Sequence, residues 1–284
     1  MTDNVQCIRL KRETNMIKTN WHTHTARCKH ATGTDEEYIE AAITAGLKTL
    51  GFSDHAAYTD PDPRSRMDYE QVPEYMDSIR SLKEKYADRI KIHLGMEVEY
   101  YPEQWEILSW YRKNLDYCIL GQHKLKYDGQ SIYHVTEREE LMQYVDAIEE
   151  ACRHSLCDYI CHPDVVLWEW PSIDGSVKEA AERIAEISLK YNMPLELNCG
   201  SGVLHDPKQY NDGKRYAYPT RAFFEVFAEK KCPVVIGLDI HNPKLFLTDK
   251  YLSRALSVIE DLDVNLLEDY DLITEARKRK ELFY

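Results

Sequence analysis

The stretch from residue 17 to residue 24 reads IKTNWHTH, a short run that ends in two histidines separated by one residue. On an extended chain, side chains two positions apart point to the same side, so His22 and His24 can bind one metal ion together. Two histidines at this spacing also occur by chance as exposed polar residues. The interpretation therefore depends on whether other strands end in the same way.

Six further short apolar runs follow, and longer amphipathic stretches separate them. With the first run, they occupy residues 17–21, 49–53, 90–96, 117–121, 159–161, 195–198 and 234–238. Buried strands that alternate with helices are typical of a parallel sheet. Seven such units predict an α/β fold of the (β/α) barrel type, with the chemistry at the C-terminal ends of the strands. An open doubly wound sheet is the alternative, but it favours a glycine-rich loop after the first strand, which this sequence lacks.

The intervening stretches predict amphipathic helices. Thr34 is a candidate N-cap because Glu37 follows three residues later, and Gly46 would end that helix. Further helices are predicted at residues 72–87, 137–154, 177–191, 220–230 and 252–262.

The composition is that of a globular chain of 284 residues, with 43% hydrophobic and 30% charged residues. Acidic residues outnumber basic ones by 49 to 36, which gives a net charge of −13. Such a chain repels nucleic acids and anionic membranes, so we expect neither as a partner. An acidic protein that handles an anion commonly does so through bound cations.

The first fifteen residues lack both a clear period and the apolar core of a secretory signal. We therefore expect a disordered or ragged leader at residues 1–15 and a single domain at residues 16–284, with Met16 as an alternative start. Eight cysteines without a CxxC pair predict free thiols in a cytoplasmic protein. Cys161 is interpreted as buried strand filling, with its side chain pointing away from that of His162.

Residues that can bind metals follow almost every predicted strand. Seven of the eleven histidines lie at a strand end or just after one, and they are His22, His24, His30, His55, His123, His162 and His241. Glu97 and Asp239 also follow buried apolar runs, where an acid is costly unless it is paired or bound to metal. This set predicts a polynuclear metal site. Imidazole and carboxylate ligands without a thiolate suit zinc, manganese or iron.

In their order and spacing, these residues resemble the motifs of the PHP (polymerase and histidinol phosphatase) family. The motifs are His22-x-His24, Ser53-Asp54-His55, Gly95-x-Glu97, His123, His162-Pro163-Asp164 and Asp239-x-His241, and the similarity extends from about residue 17 to residue 245. The resemblance implies a distorted (β/α)7 TIM-like barrel. It also implies three divalent metal ions at the C-terminal ends of the strands.

The resemblance further implies which residues bind each ion. The first ion would be held by His22, His24, Glu97 and Asp239. Glu97 would bridge to a second ion held by His123 and His162. The third ion would be held by His30, His55 and His241.

Within the family, the likeness is closer to the histidinol-phosphate phosphatase branch. The residues that carry it are Arg66-Met67, Tyr100-Tyr101-Pro102 and Leu115-Asp116-Tyr117. This likeness implies hydrolysis of L-histidinol phosphate to L-histidinol and phosphate, a step of histidine biosynthesis. The chain departs from the branch where many members carry an arginine after an NTSG-like segment, because Val203 follows Gly202 here. Another basic residue would then have to bind the phosphate.

Hydrolysis of a phosphomonoester needs a nucleophile, relief of charge on the phosphoryl group and a proton for the leaving alcohol. We expect a hydroxide that bridges two ions as the nucleophile, with Glu97 and Asp239 as the catalytic side chains. Asp239 or a water would protonate the alcohol. Candidates for binding the substrate are Arg64, Arg66, Lys124 and Arg221 for the phosphate and Glu99 for a cationic group.

Two other functions are compatible with the same residues. The first is a PHP-type phosphoesterase that acts on a nucleotide or an oligonucleotide end. The second is a non-catalytic scaffold that binds metal. The sequence leaves the metal's identity and the oligomeric state open.

Overall fold

The computed structural model describes residues 17–60, 62, 64–268 and 270–283. The predicted leader at residues 1–15 and the alternative start at Met16 lie outside the described residues. Within the described ranges, no helix combines the length and the apolar character that crossing a membrane requires.

Short parallel strands make up most of the sheet structure. The strands of the described ranges are β1 (Thr19–Asn20), β2 (Thr49–Phe52), β3 (Lys91–Val98), β4 (Tyr117–Leu120), β5 (Leu195–Asn198), β6 (Lys208–Tyr210), β7 (Gly213–Arg215), β8 (Pro233–Gly237) and β9 (Asn265–Leu266). Strands β1 to β4 pair in chain order and in parallel, and β5, β8 and β9 form a second parallel group. Strands β6 and β7 form an antiparallel hairpin. The α/β class is therefore confirmed.

Single bridges connect the two parallel groups. Ile160 pairs with Leu120 at the end of β4 and with Leu195 at the start of β5. Thr23, beyond β1, pairs with Ile240, beyond β8. The sheet therefore curls, and it carries the C-terminal ends of its strands toward one another.

The prediction of a strand at residues 159–161 is corrected to one bridged residue, Ile160. The reason lies at His162, whose φ of 27° is in the left-handed region. Extended backbone cannot continue through such a residue, so the segment ends directly after Cys161.

Helices lie between the strands, as expected for an α/β fold. They are α1 (Asp35–Thr44), α2 (Val72–Lys85), α3 (Trp105–Asn114), α4 (Arg138–Arg153), α5 (Gly175–Lys190), α6 (Ser201–Leu204), α7 (Arg221–Glu229), α8 (Lys250–Val258) and α9 (Leu272–Leu282). The capping box of α1 is confirmed, because the side chains of Thr34 and Glu37 each accept a hydrogen bond from the other's backbone N–H.

The elements that were not predicted are α3, α6, α9, β9 and the β6–β7 hairpin. The aromatic residues of α3 interrupt a simple apolar period, so the pattern there is weak. The hairpin turn contains Asp212 followed by Gly213, whose φ is 133°. Asp-Gly is a recognisable hairpin signal, so the sequence did contain the information.

A buried ion pair ties α9 to the start of β4. Arg112 and Asp158 are both fully buried, and Arg112 Nη1 lies 2.7 Å from Asp158 Oδ2. The same carboxylate oxygen accepts a hydrogen bond from the backbone N–H of Cys118 at 2.9 Å. Arg112 also donates to the carbonyl of Ala276 in α9. The C-terminal helix is thereby fixed to the core of the sheet.

Candidate metal centre

The strand ends bring all seven predicted histidines around two carboxylates, Glu97 and Asp239. We call these nine residues the histidine cluster. The Glu97 side chain lies at its middle: Oε2 is 2.8 Å from His55 Nδ1, and Oε1 is 2.9 Å from His162 Nε2. The imidazoles of His22, His24 and His123 lie 3.7, 3.6 and 3.7 Å from the same carboxylate.

Asp239 forms the second focus of the histidine cluster. Its Oδ1 lies 3.2 Å from His24 Nε2, 3.5 Å from His22 Nε2 and 3.4 Å from His241 Nδ1. His22 and His24 therefore face both carboxylates, as expected for side chains two positions apart on an extended chain.

A third group of imidazoles lies beside His24. The His24 ring stacks on His241 with the ring centroids 4.0 Å apart, and the His55 ring lies 4.3 Å away. His30 completes the group, because its Nε2 lies 3.0 Å from Nε2 of His241. This third group contains His30, His55 and His241, the histidines that the family resemblance assigned to one ion, although His55 also contacts Glu97.

The histidine cluster contains buried polar atoms that lack hydrogen bonds. They are Nε2 of His22, both ring nitrogens of His24, Oε2 of Glu97 and Oδ1 of Asp239. Buried polar atoms are nearly always satisfied, so five such atoms that face one another need an explanation. Nitrogen and carboxylate lone pairs that converge on one space are a suitable donor set for zinc, manganese or iron.

Glu196 is an important member of the site that the sequence interpretation missed. This residue of β5 is fully buried, and its Oε1 lies 2.8 Å from His22 Nδ1. Its Oε2 accepts a hydrogen bond from the backbone N–H of His162 at 2.9 Å and another from the side-chain amide of Asn198 at 2.8 Å. A carboxylate on the far nitrogen of a histidine orients the ring and makes it a better ligand. The sequence signal that could have identified Glu196 is an acidic residue within an apolar strand.

Glu99 lies behind His123, where it can orient this histidine. The candidate for binding a cationic substrate group is buried, and it accepts a hydrogen bond from the backbone N–H of His123 at 2.9 Å. Its Oε2 lies 2.7 Å from Arg66 Nη2. Glu99 therefore positions His123, and Arg66 neutralises its charge.

Two glycines make room for the buried carboxylates. A Cβ atom at Gly121 would lie 1.7 Å from Glu97 Oε1, and one at Gly237 would lie 1.7 Å from Glu196 Oε1. No side chain fits at these distances. The Gly121-x-His123 and Gly237-x-Asp239 segments therefore require glycine at their first position, because a carboxylate lies against it.

Two residues of the histidine cluster have unusual backbone conformations. His162 has φ of 27° and Asp239 has φ of 49°. Strained backbone of this kind persists where the surrounding structure requires it, and it often marks functional sites. Cys161, which precedes His162, is buried as expected, but it also lies beside the site. The Cys161 sulfur lies within 4.8 Å of ligand atoms of His22 and Glu97.

Charge and burial determine the protonation of the histidine cluster. Burial opposes ionisation of Glu97, but the imidazoles, His55 foremost, hold the pKa of its carboxyl well below the usual range. Burial likewise opposes ionisation of Asp239, and His22 contributes most to holding that pKa well below its ordinary value. Burial lowers the pKa of His241 to about 3, which leaves a neutral imidazole that can bind an ion.

The predicted basic residues separate into two places. Arg64, Arg66 and Lys124 line one cleft of about 260 Å³ beside the His123 edge of the cluster, together with Tyr58, Asp60, Asp62, Tyr101, Tyr127 and Asp128. Arg221 instead forms ion pairs with Glu225 and Asp261 at the surface. Its guanidinium is therefore bound by carboxylates that are not part of the site.

Comparison with known proteins agrees with this arrangement. The PHP domain profile matches residues 20–200 of the chain. The chain belongs to the PHP domain family.

Curated relatives within this family are histidinol-phosphatases by name. The "Probable histidinol-phosphatase" of Deinococcus radiodurans is 30% identical over 238 residues, which is 78% of this chain and 85% of that protein. The histidinol-phosphatase of Bacillus subtilis is 34% identical over 125 residues, 40% of this chain and 47% of that protein.

A solved structure shares the fold. It is the histidinol phosphate phosphatase of Lactococcus lactis in complex with zinc, L-histidinol and phosphate, at a TM-score of 0.63 and 19% identity. The match covers 88% of this chain and 95% of that one.

Proposed function

We propose that the chain is a metal-dependent phosphomonoester hydrolase that converts L-histidinol phosphate to L-histidinol and phosphate. The observation that carries this proposal is the convergence of seven imidazoles on Glu97 and Asp239, which are buried and ionised. The choice of substrate is supported by the relatives that are named histidinol-phosphatases.

We infer three divalent ions, held as the family resemblance implies. The three imidazole groups around Glu97, around Asp239 and beside His24 support this number. We also infer one domain with a distorted (β/α)7 barrel. The single bridges at Ile160 and between Thr23 and Ile240 support closure of the curled sheet.

The chemistry follows from charge and position. Bound divalent ions lower the pKa of water to supply a nucleophile at neutral pH, and they neutralise phosphate oxygens. The protein's part is to fix its ligands: Glu196 orients His22, and Glu99 orients His123. Asp239 is ionised in the folded chain, so we assign it first to binding an ion.

The cleft beside His123 suits both ends of the substrate. Arg64 and Lys124 offer positive charge for the phosphate, and arginine's planar group matches phosphate oxygens well. Asp60 and Asp128 in the same cleft offer negative charge for the amine and the imidazole of histidinol. A substrate with one anionic and one cationic end fits this lining better than a uniformly anionic nucleotide.

The test is phosphate release from L-histidinol phosphate and from AMP, measured side by side on purified protein. We expect turnover of the first substrate, loss of turnover after chelation, and recovery with added zinc or manganese. The variants His22→Asn and Glu97→Ala should abolish turnover, whereas His205→Asn, at an exposed histidine, should retain it. Preference for AMP would refute the proposal that L-histidinol phosphate is the substrate. Full activity without metal would refute metal-dependent hydrolysis.

A further inference from the structure

The corner of the histidine cluster at His30 and His241 contains a buried thiol that neither the sequence patterns nor the family resemblance assigned. Cys28 is fully buried, and its Sγ lies 3.8 Å from His30 Nε2. The sulfur and one ring nitrogen of each histidine all lie within 4.8 Å of one another. This corner therefore offers two nitrogens and one sulfur.

The hydrogen bonds of these histidines define which ring nitrogens are free. His30 Nδ1 lies 2.8 Å from the carbonyl oxygen of Cys28, and His241 Nδ1 lies 3.2 Å from that of Asp239. A carbonyl only accepts, so each Nδ1 carries a hydrogen, and Nε2 is the nitrogen that each ring can offer to an ion. The two Nε2 atoms are 3.0 Å apart. Two lone pairs at this distance repel each other unless a cation lies beside both.

The distances suit a tetrahedral ion with mixed ligands. Metal–nitrogen and metal–sulfur bonds of zinc are about 2.0–2.1 Å and about 2.3 Å, which places the two ligand atoms about 3.6 Å apart at a tetrahedral angle. The observed separation between Cys28 Sγ and His30 Nε2 is 3.8 Å. Little movement would bring the sulfur into the coordination sphere.

We propose that Cys28 is a thiolate ligand of the ion that His30 and His241 hold. The inference rests on the proposed function, since it requires that the cluster binds metal. Binding breaks the S–H bond, releases the proton to solvent and forms a sulfur–metal bond. Burial and, after it, the charge of Asp54 raise the pKa of the free Cys28 thiol, so the thiolate requires the bound ion to displace the proton.

A thiolate gives this corner a different metal preference from the rest of the cluster. Soft sulfur ligands select zinc over manganese, whereas carboxylates suit manganese. The ion at Cys28 is then zinc even where the positions beside Glu97 accept manganese.

Cobalt spectroscopy tests the proposal without relying on activity. Cobalt(II) bound in a tetrahedral site gives d–d bands in the visible range, and a thiolate ligand adds a sulfur-to-cobalt charge-transfer band in the near ultraviolet. We expect both in the protein after metal removal and cobalt loading. Cys28→Ser and Cys28→Ala should lose the charge-transfer band, keep the d–d bands, and bind one cobalt equivalent at least about tenfold more weakly.

Cys161→Ser is the matched control, because Cys161 is a buried thiol that lies near His22 and Glu97 rather than near His30 and His241. This variant should keep the charge-transfer band. Cobalt d–d bands without a charge-transfer band in the original protein would overturn the thiolate ligand alone. Persistence of the band in the Cys28 variants, or its loss in Cys161→Ser, would also overturn it. Failure to bind cobalt at all would overturn the proposed function as well.

Discussion

Glu196 Oε1 lies 2.8 Å from His22 Nδ1, and both side chains are fully buried. The contact crosses the fold from β5 to the segment after β1. It leaves His22 Nε2 directed at Glu97 and Asp239. The orientation of the first metal-binding imidazole thus depends on a residue 174 positions away.

Glu196→Ala should weaken metal binding without removing a ligand. Losing a carboxylate that orients a ligand histidine typically costs 10–100-fold in metal affinity or activity. Glu196→Gln should cost less, since the amide oxygen can still accept from His22 Nδ1. Calorimetric titration of the metal-free protein with zinc measures the change in affinity. Unchanged affinity in Glu196→Ala would contradict an orienting role.

Gly121→Ala should disrupt the centre by steric conflict. The new methyl group would lie 1.7 Å from Glu97 Oε1, so the carboxylate must move away from His162. We expect loss of turnover and of at least one bound ion, measured by metal analysis. Gly175→Ala is the control, because a Cβ there meets nothing within 4 Å. A fully active Gly121→Ala protein would show that the position of Glu97 is not required.

Asp158→Asn should destabilise the fold rather than the chemistry. The change leaves Arg112 buried without its carboxylate partner, and breaking a buried pair in this way costs about 3–5 kcal/mol. Urea unfolding at neutral pH measures the free energy. Asp261→Asn breaks only the exposed pair with Arg221, which solvent screens, so its effect should be far smaller. Equal effects of the two substitutions would refute the importance of the buried pair.

Asp116 should contribute stability that depends on pH. Burial opposes its ionisation, but the nearby His93 ring and hydrogen bonds from Lys83 and the backbone N–H of Leu94 hold its pKa well below the usual range. A carboxyl with a depressed folded-state pKa stabilises the fold above its unfolded pKa of about 3.9, and this contribution is lost as the pH falls below that value.

The stability difference between the original protein and Asp116→Asn should therefore be greatest near neutral pH and shrink below about pH 4. Urea unfolding across this pH range measures it. The exposed Asp77→Asn should show no such trend. A difference that grows at acidic pH would contradict the assignment.

The sequence predicted those site residues that follow strands in a regular register. Glu97 stood out because it ends an apolar run, and His22 and His24 because they share one side of an extended chain. Glu196 lies between two leucines inside a predicted strand and not at its end, so the register of strand ends did not identify it. The position of Cys161 beside His22 and Glu97 was not predicted, because it depends on contacts between distant segments that spacing does not reveal.

Basic residues were harder to assign than metal ligands. Arg66 and Arg221 were equally plausible candidates in the sequence. Arg66 follows a predicted strand, and Arg221 opens a predicted helix. The structure gives Arg66 a buried partner in Glu99 and gives Arg221 exposed partners in Glu225 and Asp261. The partners of a long side chain are set by tertiary contacts. A local sequence pattern therefore does not predict its role.

The bridge between Thr23 and Ile240 has a consequence for the order of events during synthesis. His30 leaves the ribosome early, but its neighbour His241 follows 211 positions later. A nascent chain therefore lacks Asp239 of the first ligand set and His241 of the third until residues 239–241 have emerged. Retention of ions by these two sets then reports that the late segment has folded against the early one, and products that end before residue 239 should be unable to retain them.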